Sequence, residues 1–260
     1  MSEVVKVRNA SYARYEELLL RKDEVKKLAF HFERAYIREF GDLILEVFQK
    51  KMEAIRKKKT IEYCQIFANR GESVDQNALQ AYLAKEMAEY KERLEEMVRE
   101  NKEAKSGKKI TEVDLLRIKR IYHRMAKKIH PDINPAAAES EELQGLWNRL
   151  KIAYDCNDLK EMEEIEVLIN MLLEKMDLGT AEITIPDIEK KIAELEAEIG
   201  SITGTDPYQY KYLLEDKDAV SRKKEELRRE QQEYEDYCKQ LDSIPKELLQ
   251  KGVTTKCRMN

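Results

Sequence analysis

The chain is poor in the residues that break helices and in those that cross-link or carry chemistry. Its 260 residues include 8 Gly, 5 Pro, 4 Cys, 3 His and 1 Trp. So few turn formers argue against a compact mixed fold and favour long helices. Cys64, Cys156, Cys238 and Cys257 are scattered without CxxC spacing, and Met1 to Lys6 carries no apolar core or cleavage site. Reduced thiols in a cytoplasm are therefore expected. No apolar run approaches the ~20 residues needed to span a bilayer, so a soluble protein without membrane association is expected. No Gly-rich phosphate loop, nucleophile elbow or paired-carboxylate constellation stands out, which gives no reason to expect an enzyme or a cofactor. His123 and His130 are separated by ~10 Å along a helix axis, too far to share one metal. His31 lies among apolar helix positions and reads as structural. A net charge of −4 and a pI near 5.7 weigh against nucleic-acid binding by the whole chain.

What the chain does have is charge, 38% of residues, arranged with helical periodicity. From Ala10 to Asn69 apolar residues recur at three- and four-residue spacing, through Leu18, Val25, Leu28, Phe32, Tyr36, Phe40 and Val47. Gly41 is placed to bend or weaken that helix, and Arg56-Lys57-Lys58-Lys59 reads as a solvated face. Ser73 with Gln76 fits a capping box, and one helix is expected from there to Lys105. Residues 1–106 are therefore expected as a long helical hairpin. Beyond Leu178-Gly179-Thr180, Pro186 suits a first helical turn. Ile188, Ile192, Leu195 and Ile199 form one seam. Leu213, Val220, Leu227, Tyr234 and Leu241, seven residues apart, form another. An antiparallel coiled-coil arm over 179–245 is expected, with a short tail over 246–260. The fold class is all-α.

Residues 107–178 hold the most informative stretch. Thr111 with Asp114 resembles a capping box that opens a helix. Ile118, Ile121, Tyr122, Met125 and Ile129 share one face, while Arg117, Arg120, Arg124, Lys127 and Lys128 occupy the other. Between Leu115 and His130 stand six Lys or Arg residues and no acid, an unusual segregation in an acidic chain. Pro131 lacks an amide hydrogen and disfavours helical geometry in the residue before it. His130 is therefore expected in a loop with its ring turned towards a partner, and Asp132 just past the turn. A second helix follows, striped by Leu143, Leu146, Trp147, Leu150 and Tyr154, and an acidic helix begins at Asp158 to Glu161.

The run Tyr122-His123-Arg124-Met125-Ala126-Lys127-Lys128-Ile129-His130-Pro131-Asp132-Ile133-Asn134-Pro135, followed by Trp147, Leu150 and Ala153-Tyr154, resembles the J-domain of the DnaJ co-chaperone family. The match covers about Thr111 to Asp155. The resemblance implies docking on a DnaK-type heat-shock chaperone and stimulation of its ATP hydrolysis. It implies His130, Pro131 and Asp132 as the trigger, with Lys119, Tyr122, Arg124 and Lys128 supplying the docking face. The flanking helices would select a client or self-associate. The family's short first helix, its glycine/phenylalanine-rich segment and its CxxCxGxG zinc module are not visible. The alternative expectation is a structural coiled-coil protein with a degenerate, non-stimulating hairpin.

Overall fold

The computed structural model describes residues 10–106, 110–176 and 187–250, without the side chains of 135, 136 and 245–250. The expectations for the 107–109 linker, for Leu178 to Pro186 and for the tail beyond Gln250 lie outside these residues. In chain order the helices are α1 (Ala10–Asn69), α2 (Gln76–Glu86), α3 (Ala88–Ser106), α4 (Glu112–Ile129) and α5 (Pro135–Ala138). They continue as α6 (Glu141–Asp155), α7 (Leu159–Met176), α8 (Ile188–Gly204), α9 (Tyr210–Glu215) and α10 (Lys217–Gln250). No strand occurs among the described residues, so the fold is all-α and built of helical hairpins. No described helix is long and apolar enough to cross a membrane.

The chain divides into two compact units, Met1–Phe32 with Lys108–Gln209, and Glu33–Gly107 with Tyr210–Asn260. These cut across the boundaries expected from the sequence. The first stretch of α1 belongs with the central hairpin, and so does α8. The reason is packing between residues distant in sequence, which local composition does not encode.

In the first unit α4, α6 and α7 form an up-down-up bundle. Ile118, Met125 and Ile129 of α4, Leu143 and Leu150 of α6, and Met162, Ile165 and Ile169 of α7 share one core and are essentially inaccessible. Each such side chain contributes about 1.5–3 kcal/mol through burial. Leu20 of α1 joins this core. A second cluster unites Tyr15, Leu18 and Leu19 of α1 with Ile133 and with Ile192 and Leu195 of α8. Arg14 pairs with Glu196, and Lys26 with Glu198, so α8 runs in the same direction as α1.

In the second unit Phe40 and Val47 of α1 bury against Leu227 of α10. Tyr36 stacks on Tyr210 with centroids 4.2 Å apart. Lys224 meets Glu39, Lys50 meets Glu235 and Lys57 meets Asp242, so α10 also runs parallel to α1. The 188–199 and 213–241 seams thus bury against α1, each within its own unit. The basic run is drawn into ion pairs: Lys57 with Glu53, Lys58 with Glu62, and Lys59 with Glu86. The cap of α2 is Asp75, whose carboxylate accepts from the Asn77 amide, in place of the expected Ser73. The expected single helix breaks at Met87 into α2 and α3.

Gly41 does not interrupt α1. It is buried where α3 approaches, and a Cβ there would overlap the side-chain carbonyl of Asn101. Asn101 Nδ2 donates to Asp42 Oδ1 at 2.9 Å, which fixes that amide in place. Gly41→Ala is therefore expected to destabilise the protein by about 1–3 kcal/mol despite Ala's better helix propensity. Adding Asn101→Ala should recover much of that loss, as read from urea midpoints in a double-mutant cycle. Additive losses would sink the assignment.

Candidate functional site

α4 begins as its residues dictate. The Thr111 hydroxyl accepts from the Asp114 amide at 3.1 Å and donates to the Asp114 carboxylate at 2.7 Å. The helix ends at His130, whose φ of −60° and ψ of 127° are extended, the geometry Pro131 imposes on its predecessor. The His130 carbonyl accepts from the amides of Ile133 and Asn134 at 3.0 and 2.8 Å. Asn134 Nδ2 donates to the Lys128 carbonyl at 2.8 Å. The turn is thereby closed from both ends.

The His130 ring is placed differently from the expectation. It is 8% exposed and turned inward. Its edge meets Trp147 with centroids 4.7 Å apart, and Nδ1 accepts the Asp132 amide hydrogen at 3.0 Å. Only a neutral Nε2–H tautomer can make that bond. Burial holds the imidazole below its ordinary pKa of 6.5, against the opposing pull of Asp132 and Asp23. Pro131 is half-buried and Asp132 is exposed, so the turn presents proline and carboxylate while the imidazole braces it from behind.

An aromatic column supports this arrangement. Trp147 lies 5.8 Å from Tyr122, and Tyr122 stacks on Tyr154 at 3.9 Å with planes 13° apart. Such pairs add about 0.5–1.5 kcal/mol beyond area burial. Lys27 of α1 completes the column, with Nζ 3.5 Å from the Tyr154 ring centroid and donating to the Tyr154 carbonyl at 2.6 Å. Burial draws its ammonium down to about 8. The buried Tyr122 hydroxyl donates to Asp23 at 2.6 Å, and the Tyr12 hydroxyl donates to the Ile133 carbonyl at 2.8 Å. Burial and the neighbouring Asp23 raise the Tyr122 phenol well above its usual range.

The sequence-predicted docking residues are all on α4, and each meets another part of the chain. Lys119 pairs with Glu24 at 2.5 Å. Tyr122 is a core residue bonded to Asp23. Arg124 pairs with Glu166 at 2.5 Å, and Lys128 donates to Asn170 at 2.7 Å. The adjoining cations follow suit, Arg117 at 2.7 Å from Glu163 and Lys127 at 2.8 Å from Glu16. Arg120 is exposed and has no carboxylate partner among the described residues. His123 is held below its ordinary pKa by burial and by Lys119, so it adds little charge near neutrality. His31 is exposed and edge-on to Phe32.

Sequence reasoning missed the carboxylates facing this site, Glu16, Asp23 and Glu24 of α1 and Glu163 and Glu166 of α7. The acidity of α7 was legible, but its register against α4 was not. An open groove of about 580 Å³ between α1 and α4 is lined in part by Glu16, Glu24, His123 and Lys127. No group of three or more potential metal ligands occurs among the described residues. No protein-family model, curated protein or solved structure matches the chain.

Trp147 is the sole tryptophan and reports on His130 directly. An imidazolium against its ring should quench it, so fluorescence should fall as pH drops, with a midpoint below 6.5. His130→Gln should remove the transition; its survival would reassign the effect. Because the unfolded chain takes up the proton first, the His130 contribution to stability is complete above 6.5. It should be lost progressively as pH falls below that value, a trend that urea midpoints can follow.

Proposed function

We propose that the first compact unit acts as a J-domain-like module that docks on a DnaK-type heat-shock chaperone and stimulates its ATPase. The observation that carries this reading is the turn itself. α4 stops at His130, the imidazole is locked inward, and Asp132 is exposed at the end of a helix with a basic outer face. Such a face steers towards an acidic protein surface, and a rigid turn beside it supplies local contacts. No bond chemistry is required of the module. It biases a conformational equilibrium in its partner through different affinities for two partner states. His130, Pro131 and Asp132 form the trigger, while Lys119, Arg124 and Lys128 guide the encounter and Tyr122 holds the turn. The reading places the protein in the cytoplasm, with the second unit serving a client or a second copy.

Another reading, a structural helical protein with a non-stimulating hairpin, draws support from the cations of α4 that already carry internal partners. Steady-state ATP hydrolysis by a purified DnaK-type chaperone separates the two. His130→Gln should reduce stimulation by about tenfold or more, equivalent to ~1.4 kcal/mol, with helicity unchanged. Equal inactivity of wild type and variant would establish the structural reading.

A further inference from the structure

The cations on the flanks of α4 meet carboxylates on two sides. α1 offers Glu16 to Lys127 and Glu24 to Lys119. α7 offers Glu163 to Arg117 and Glu166 to Arg124. The arrangement follows from helix geometry, since α4 is antiparallel to α1 and parallel to α7, with its apolar stripe sunk into the core between them. Both sets of acids bring to α4 the chemistry that an acidic partner surface would bring.

We infer that α7 is an internal competitor for the basic face of α4, so that an acidic protein partner must displace Glu163 and Glu166 before it can use Arg117 and Arg124. The inference deepens the co-chaperone reading by adding regulation to the same site, but the masking itself is independent of which partner binds. The four pairs differ in how far their carboxylates are buried: Glu24 and Glu166 are alike at 20% exposed, and Glu16 stands apart. The Glu16 side chain is 4% exposed, which ties it to the fold. Arg117 and Arg124 are 62% and 51% exposed, and their α7 partners 41% and 20%. Because both arginines are more than half exposed, these pairs gain little from Coulomb attraction, so the arginines can exchange them for intermolecular ones without unfolding the bundle. Arg120, between them on the same helix, is the uncompeted foothold among the described residues. While the pairs hold, apparent affinity is lowered by the fraction of molecules whose cations are uncovered.

Glu163→Gln/Glu166→Gln in the full chain tests this, because the amides keep shape and lose charge. The control is Glu225→Gln/Glu233→Gln, which removes the same charge from exposed positions on α10. Circular dichroism confirms that each variant is folded. On immobilised heparin, a polyanion chosen as a partner-independent probe, the α7 variant should elute at higher salt than both wild type and the control. In titrations with a purified bacterial DnaK-type chaperone in its ATP state, it should bind roughly three- to tenfold tighter than wild type. Elution indistinguishable from the charge-matched control overturns the inference. So does weaker chaperone binding by the folded variant, which would mean that the carboxylates position the arginines instead of masking them. Stronger heparin retention with no chaperone binding by any form supports the masking while refuting the co-chaperone reading.

Discussion

The ring of Pro131, which clashes with a helical backbone at the residue before it, is the constraint around which the first unit is arranged. It forces His130 out of helical geometry, and the reversal that follows brings α6 back antiparallel to α4. Once the chain has turned, Trp147, Tyr122 and Tyr154 form a column whose last ring lies beneath Lys27. The imidazole then has a ready acceptor nitrogen for the Asp132 amide. Rigidity of the turn therefore comes from the side chains behind it, while the residues in front remain available.

A second theme is the use of one helix by two cores. Within the first unit α1 contributes Leu20 to the bundle and Tyr15, Leu18 and Leu19 to the cluster around Ile133. Within the second, Phe40 and Val47 of the same helix meet Leu227. Ile133, the residue following the His-Pro-Asp turn, is thus buried against α1 and α8 and not left in the loop. Asn134 anchors the turn from the other side through the Lys128 carbonyl.

Much of this was legible in the sequence wherever cause and effect lie within a few residues. Pro131 announced the end of α4, Thr111 its beginning, and the Ile118 to Ile129 stripe its buried face. The seams at 188–199 and 213–241 were legible as apolar faces too. Their partners were not, because a seven-residue repeat specifies a stripe without specifying what covers it. Distance also hid the contacts of Tyr122 with Asp23 and of Lys127 with Glu16, since nothing local marks a carboxylate that far away as a neighbour. The inward rotation of His130 was missed for a related reason. A loop position permits exposure, but Trp147 and the Asp132 amide compete for the ring and prevail.

The discontinuity of the first unit has a consequence for synthesis. Asp23 and Tyr122 are 99 residues apart in the chain. At about 5–20 residues per second, the opening of α1 leaves the ribosome on the order of 5–20 s before α4 can meet it. During that interval Tyr15, Leu18, Leu19 and Leu20 have none of their α4, Ile133 or α8 neighbours. A nascent chain of this protein thus carries this leucine-rich segment without its native cover early in translation.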